Sequence, residues 1–310
     1  MILKQLKNPK VDMPNFYIVN VKHGNSAVLI DTKGIVIVDA GNGSNLLEFL
    51  LSKKITVIDV LLLSHSDSDH IGGVMALLDS GIVDIKNIYI NPDAIKNSET
   101  WDSLVWTLYN CDKDNKINFQ PSITPDLTGT INQGMVNIEI LAPNKYLVAK
   151  GSGGNDRDKR KITTNSISAV VRLIYKENPI ILLAGDIDKI GLDNLLNDNK
   201  SIKSWLLVFP HHGGHARGDI KEFTKQICQL VQPEQIVFSI GDNTNRFPLK
   251  EVVETISENL QNTCMYTTNH SDVFQSHISQ ITALAHQNAV GHIHIDFTLT
   301  PLVLNFITCR

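Results

Sequence analysis

Cysteine is scarce: the 310-residue chain has four, Cys111, Cys228, Cys264 and Cys309, far apart and with no CxxC pair. That spacing excludes a disulfide framework and a zinc knuckle, and leaves reduced thiols. Long apolar runs are missing too. No stretch approaches the roughly 18 uninterrupted apolar residues of a membrane-spanning helix. The opening MILKQLKNPKVDMPNF has lysines but neither the apolar segment nor the small-residue cleavage site of a secretion signal. A cytoplasmic protein with no membrane partner is expected. Nor is there an excess of positive charge. Lys and Arg number 28 against 32 Asp and Glu, a net charge of −4, which excludes binding to nucleic acid through overall charge and leaves only a local basic surface open. With no internal repeat, low-complexity tract or long linker, residues 1–310 read as one domain.

What is present is enough apolar residue, 42% of the chain, to bury a large core. FYIVNVK, SAVLID and GIVIVDAG, between Phe16 and Gly41, are short Val- and Ile-rich runs separated by Gly24-Asn25 and Lys33-Gly34, the pattern of an antiparallel meander. SNLLEFLLSK then shows helical spacing, and ITVIDVLLLS returns to a strand. DHIGGVMALLDSG reads as a helix ended by Gly81, IKNIYIN as a strand, and TWDSLVWTLYN as a helix whose Trp101, Trp106 and Tyr109 are expected in the core. Further strands are expected at GMVNIEILAP, SISAVVRLIY, PIILLAGD, SWLLVFP, QIVFSIG, TCMYTTN and HIHIDFTL, with helices at residues 221–230 and 249–260. Residues 150–164, rich in glycine and charge, read as an exposed loop. The pattern is α/β, two mixed sheets with helices outside.

LLLSHSDSDHIGGV crowds His65, Asp67, Asp69 and His70 behind an apolar run. Such residues are ordinary in a strand-to-helix turn, and Asp69 alone could cap the following helix. Imidazole and carboxylate converging on one point are equally a recurring shell for a divalent ion. Two other apolar strands also stop on ligand-type residues. IILLAGDID ends on Asp186, where a buried carboxylate needs a partner or a metal, and WLLVFPHHGGH ends on His211 and His212.

SHSDSDHIGG resembles the HxHxDH signature of the metallo-β-lactamase fold superfamily, in the HxDxDH variant of the ComEC-type DNA-uptake proteins and their stand-alone relatives. VKHGNSAVLI, IVIVDAG, NSISAVVRLIY, LLAGDID, VFPHHGG and VFSIGDNTNRFP resemble its other landmarks in order, from about residue 15 to about residue 300. The resemblance implies a four-layer αββα sandwich with the metal site at the edge of the sheets. It implies that Asp69, His70, the bridging Asp186 and one of His211 and His212 hold one metal, that His65 and Asp67 face the other, and that Asp39 orients a ligand histidine.

The chain departs from the better-known pattern, since no histidine lies between His70 and His211 and Asp67 replaces the second histidine. One position is then expected to be oxygen-rich, with Asn165 or water filling in, which favours manganese or magnesium over zinc for one or two bound ions. Such a site implies hydrolysis by a metal-activated water, with Asp67 or Asp69 accepting its proton. A phosphodiester, DNA or a nucleotide, is the favoured substrate because Arg157, Lys159, Arg160, Lys161, His215 and Arg217 follow or flank presumed site residues. A small acyl substrate, or a binding module with a decayed site, are the competing readings. His292 and His294 share one face of a strand and read as sheet residues, as do His23, His270, His277 and His286, although His270 with Asp272 could line the cleft.

Overall fold

The computed structural model describes residues 8–198, 201–241, 246–260, 262–278, 286–288, 291–299 and 301–308. Three four-residue strands open the chain, β1 (Asn15–Ile18), β2 (Ala27–Ile30) and β3 (Ile35–Val38), paired antiparallel as a meander. Helix α1 (Asn45–Ser52) leads to β4 (Val57–Leu63), which runs parallel to β3. The next elements are α2 (Ser68–Ile71), α3 (Gly73–Ser80), β5 (Asp84–Ile90), α4 (Glu99–Lys113) and β6 (Asn118–Gln120). With β14 (His292–Asp296) and β15 (Leu304–Ile307) they complete one sheet in the order β15-β14-β1-β2-β3-β4-β5-β6.

The second sheet is built from β7 (Val136–Ala142), β8 (Val170–Tyr175), β9 (Asn178–Leu183), β10 (Leu206–Val208), β11 (Gln235–Phe238), β12 (Cys264–Thr267) and β13 (His286–Asn288), in the order β13-β12-β11-β10-β9-β8-β7. Its remaining helices are α5 (Lys145–Lys150), α6 (Lys189–Asn197), α7 (Ile220–Val231), α8 (Lys250–Asn259) and α9 (Asp272–Ile278).

Strand periodicity explains the layering. Along β3, Val36 and Val38 face one core while Ile35 and Ile37 face another, and β4 divides Val60 and Leu62 from Leu61 and Leu63 in the same way. The first set meets Ile181, Leu183, Leu206 and Val208 of the opposite sheet, forming the layer between the sheets. The second set is covered by α1, α3 and α4 through Leu46, Leu77 and Leu104. The outer face of the second sheet is covered by α6, α7 and α8 through Leu192, Ile227 and Ile256. This is the expected αββα sandwich. Among the described residues no helix is long and apolar enough to cross a membrane.

Several expectations need correction. The helix after the histidine-aspartate cluster is two helices that part at Gly72, because the Gly72-Gly73 pair must lie against the turn after β3: a Cβ on Gly73 would stand 2.2 Å from the Ala40 carbonyl oxygen. The Asn-Ser strand begins only at Val170, after a 3-10 turn at Asn165–Ile167. The charged loop at 150–164 is not free. Ser152, Asp156 and Ile162 are buried, Asn155 bridges Lys161, and Arg160 is held by Asp156 and Asp193. One isoleucine and these ion pairs anchor a segment whose composition alone reads as solvated. On α4, Trp101 is buried, but Trp106 and Tyr109 are 66% and 51% exposed, since their helical positions face away from the sheet. Among the described residues Cys111, Cys228 and Cys264 are free; Cys309 lies outside them.

Leu62 lies at the centre of the layer between the sheets and is fully buried. Replacing it with alanine should lower stability by about 2–5 kcal/mol, read as a shifted midpoint in denaturant titration.

Candidate metal centre

In both sheets the parallel strands end at one edge, and the functional side chains stand just beyond those ends, as ligand sites in α/β sheets do. Asp39 follows β3, Ser64 to His70 follow β4, Asp186 follows β9, and His211 and His212 follow β10. Asn165 precedes β8, which runs antiparallel to β9, so it reaches the same edge. One bond ties the sheets together here, Ala169 N donating to the Ser64 carbonyl at 2.9 Å, and within the second sheet Asp186 N donates to Ser168 Oγ at 3.0 Å.

The innermost donors are His65, His70 and Asp186, all buried, with ligand atoms within 4.8 Å of one another. His70 Nδ1 donates to Asp39 Oδ2 at 2.7 Å, which fixes the tautomer and leaves the Nε2 lone pair facing Asp186 Oδ1 at 3.3 Å. Asp39 is itself held by Ser64 N at 2.6 Å and Ser64 Oγ at 2.8 Å. His65 Nε2 lies 3.8 Å from Asp186 Oδ2, and Ser64 Oγ lies 3.0 Å from its Nδ1. His65 Nε2, His70 Nε2 and Asp186 Oδ1 have no hydrogen-bond partner although all are buried. Unpartnered acceptors aimed at one another are costly unless a cation lies among them, so the donor set fits a metal ion.

A second group lies beside the first. Asp69 Oδ2 is 3.1 Å from His212 Nε2, 3.5 Å from His23 Nε2 and 3.8 Å from His70 Nε2. His212 Nδ1 donates to the Ser239 carbonyl at 2.6 Å, again turning Nε2 inward. His211 and His212 adopt φ of 54° and 57°. Consecutive non-glycine residues in that region are strained, of order 1–3 kcal/mol each, and the strain aims both rings at the centre. His211 Nδ1 is 3.3 Å from Asp186 Oδ2, and Asn165 Nδ2 lies 3.3 Å from His211 Nε2 with its own Oδ1 unpartnered.

A family model described as the Metallo-beta-lactamase superfamily matches residues 19–224. The chain belongs to the metallo-β-lactamase superfamily. Solved structures agree on the fold. YhfI from Bacillus subtilis, a metallo-beta-lactamase fold protein, superposes with a TM-score of 0.51 at 12% identity, over 83% of this chain and 96% of that one. Tm1679, described as a metal-dependent hydrolase of the beta-lactamase superfamily, gives 0.51 at 16% identity, over 82% and 95%. A search of curated proteins finds no match. By family and by its gathered donors the chain is a metal-dependent hydrolase.

The superfamily centre in this chain differs from its sequence reading in how the donors are divided. His70 joins His65 and Asp186, whereas Asp69 turns to His212 and His23, which lie nearer to it than His70. In sequence His23 reads as a sheet residue. It enters from the hairpin between β1 and β2, where Gly24 packs so closely on Asp69 that a Cβ would stand 2.0 Å from its carbonyl oxygen. The donor groups are therefore richer in nitrogen than expected. Lys96 was also missed: its ammonium pairs with Asp67 Oδ1, while Asp67 Oδ2 faces His65 Nε2 at 3.3 Å.

The flanking cations have local partners of their own. Arg157 lies over the Tyr146 ring at 5.5 Å beside Asp156 and Asp158, Arg217 donates to the Lys161 carbonyl, and His215 is exposed. His292 accepts from Asn20 N, and His294 pairs with Asn15 and stacks on Tyr17, as sheet residues do. His270 is exposed and pairs with Asp272. The side chains of His277 and His286, and residues 242–245 of the late loop, lie outside the described residues.

Burial opposes charge on His70, but Asp186 and Asp39 outweigh it and hold the imidazolium well above 6.5. Burial likewise opposes ionisation of Asp67, yet His65 and Lys96 bring its carboxyl down to about 2. A raised histidine stabilises the fold fully below its unfolded value, and that contribution is lost as pH rises through the folded value. Metal-free protein should accordingly lose stability in denaturant titrations as pH climbs above 6.5, and Asp39→Asn should flatten that dependence. The same substitution frees the His70 ring and should weaken metal affinity by about 10–100-fold, measured by competition with a chelating dye.

Proposed function

We propose that the chain is a ComEC-type, HxDxDH phosphodiesterase that cleaves nucleic acid. The observation that carries the hydrolytic part is the meeting of His65 and His70, from the end of β4, with Asp186, from the end of β9, their unpartnered atoms toward one point. A divalent ion, when bound there, supplies Lewis acidity and an acidified water. The donors favour zinc over the manganese or magnesium expected from the motif, since each group holds two imidazoles and one carboxylate, and manganese and magnesium prefer oxygen. Of the two aspartates read as catalytic, Asp69 is engaged by two imidazoles. Asp67 is the better placed proton acceptor, ionised and directed at the inner donors.

The substrate class is supported by the surface beside the centre. Trp106 and Tyr109 stack at 5.7 Å, exposed, on a groove of about 600 Å³ that they line with Trp101, Pro92 and Asp93. Asp93 accepts from Ser66 at 2.5 Å, so the groove adjoins the cluster turn itself. Exposed paired rings are a platform on which unpaired bases stack. Lys96, beside Asp67, supplies a cation for a phosphate.

Purified protein with Mn²⁺ or Zn²⁺ should cleave labelled single-stranded DNA, and Asp186→Ala should reduce the rate at least about 10³-fold. Hydrolysis of a lactone or thioester with no cleavage of single- or double-stranded DNA would replace this reading with an acyl hydrolase. Trp106→Ala should raise KM for single-stranded DNA roughly tenfold while leaving hydrolysis of a small phosphodiester unchanged.

A further inference from the structure

The division of donors points past the arrangement implied by the sequence motif, in which Asp67 belongs to a metal position. Asp67 has an ammonium on one oxygen. That ammonium is not a wandering surface charge, because the loop that carries it is pinned three residues earlier. Asp93 is buried and accepts from Ser66, Ser152, Thr164 and Ile95 N. A dication bound by Asp67 would stand beside Lys96 in a half-buried site, where repulsion is weakly screened. On the other side of the cluster a histidine has entered. His23, Asp69 and His212 present three ligand atoms within 4.8 Å of one another, and His212 has already spent its Nδ1 hydrogen on Ser239.

We propose that the centre is a displaced pair: one ion at His65, His70 and Asp186, and a second at His23, Asp69 and His212, with the Lys96 ammonium neutralising Asp67 in place of a metal. This rests on the metal-dependent reading above and adds His23 as a ligand supplied by the first hairpin. It also gives Lys96 and Asp67 a place at the substrate side of the centre rather than within the metal shell.

The test is a metal count. Metal-free protein is loaded with Zn²⁺ or Mn²⁺, passed over a desalting column, and the bound metal measured per chain by atomic emission, with affinities from calorimetry. Wild type should hold two ions. His23→Ala and His23→Gln should each halve the bound metal, while Asp67→Asn should leave the count at two. Two ions retained in both His23 variants, or an ion lost in Asp67→Asn, would overturn the displaced pair and leave the hydrolase reading standing. No ion bound by wild type would overturn both.

Discussion

The structure turns on a cost that the protein alone does not remove. His65 Nε2, His70 Nε2 and Asp186 Oδ1 are buried, unpartnered and directed at one another. Each ring has its other nitrogen engaged: His70 with Asp39, and His65 near Ser64. Neither ring can turn to relieve the contact without giving up that engagement, so the proton of an imidazolium or a bound cation has to balance the site. The buried position of Asp39 then follows as the group that fixes His70, and the strain at His211 and His212 as the means of bringing one ring to Asp186 and the next to Asp69.

Topology makes this convergence available. Parallel β3 and β4 in one sheet, and parallel β9, β10 and β11 in the other, end at the same edge. The layer between the sheets, where Leu62, Leu183 and Val208 share one core, keeps those ends in register. Loops leaving the strands then need only a few residues to meet. The fold supplies the meeting point, and the loops supply the chemistry.

Much of this was legible in the sequence for a physical reason. The buried strands are continuous Val, Ile and Leu runs, and a carboxylate closing such a run, as Asp186 does after IILLAG, needs a partner or a metal. What was not legible depends on contacts between distant segments. His23 sits in a polar turn and acquires its meaning only when Gly24 packs on Asp69. Lys96 is one lysine among many until Asp93 pins its loop to Ser66. Composition shows the exposed character of residues 150–164 but not the anchors, Ile162, Ser152 and the Arg160 ion pairs, that hold the run in place. Helical spacing placed Trp106 and Tyr109 in the core, since periodicity gives a face but not which side of it meets the sheet.

Membership of the superfamily fixes the scaffold and the class of chemistry, while the side chains of this chain set the details. The most direct check on the central claim is anomalous diffraction from crystals grown with Mn²⁺ or Zn²⁺. The account predicts a strong peak within bonding distance of His65 Nε2, His70 Nε2 and Asp186. Full occupancy elsewhere with that point dark, or no peak at all, would contradict it.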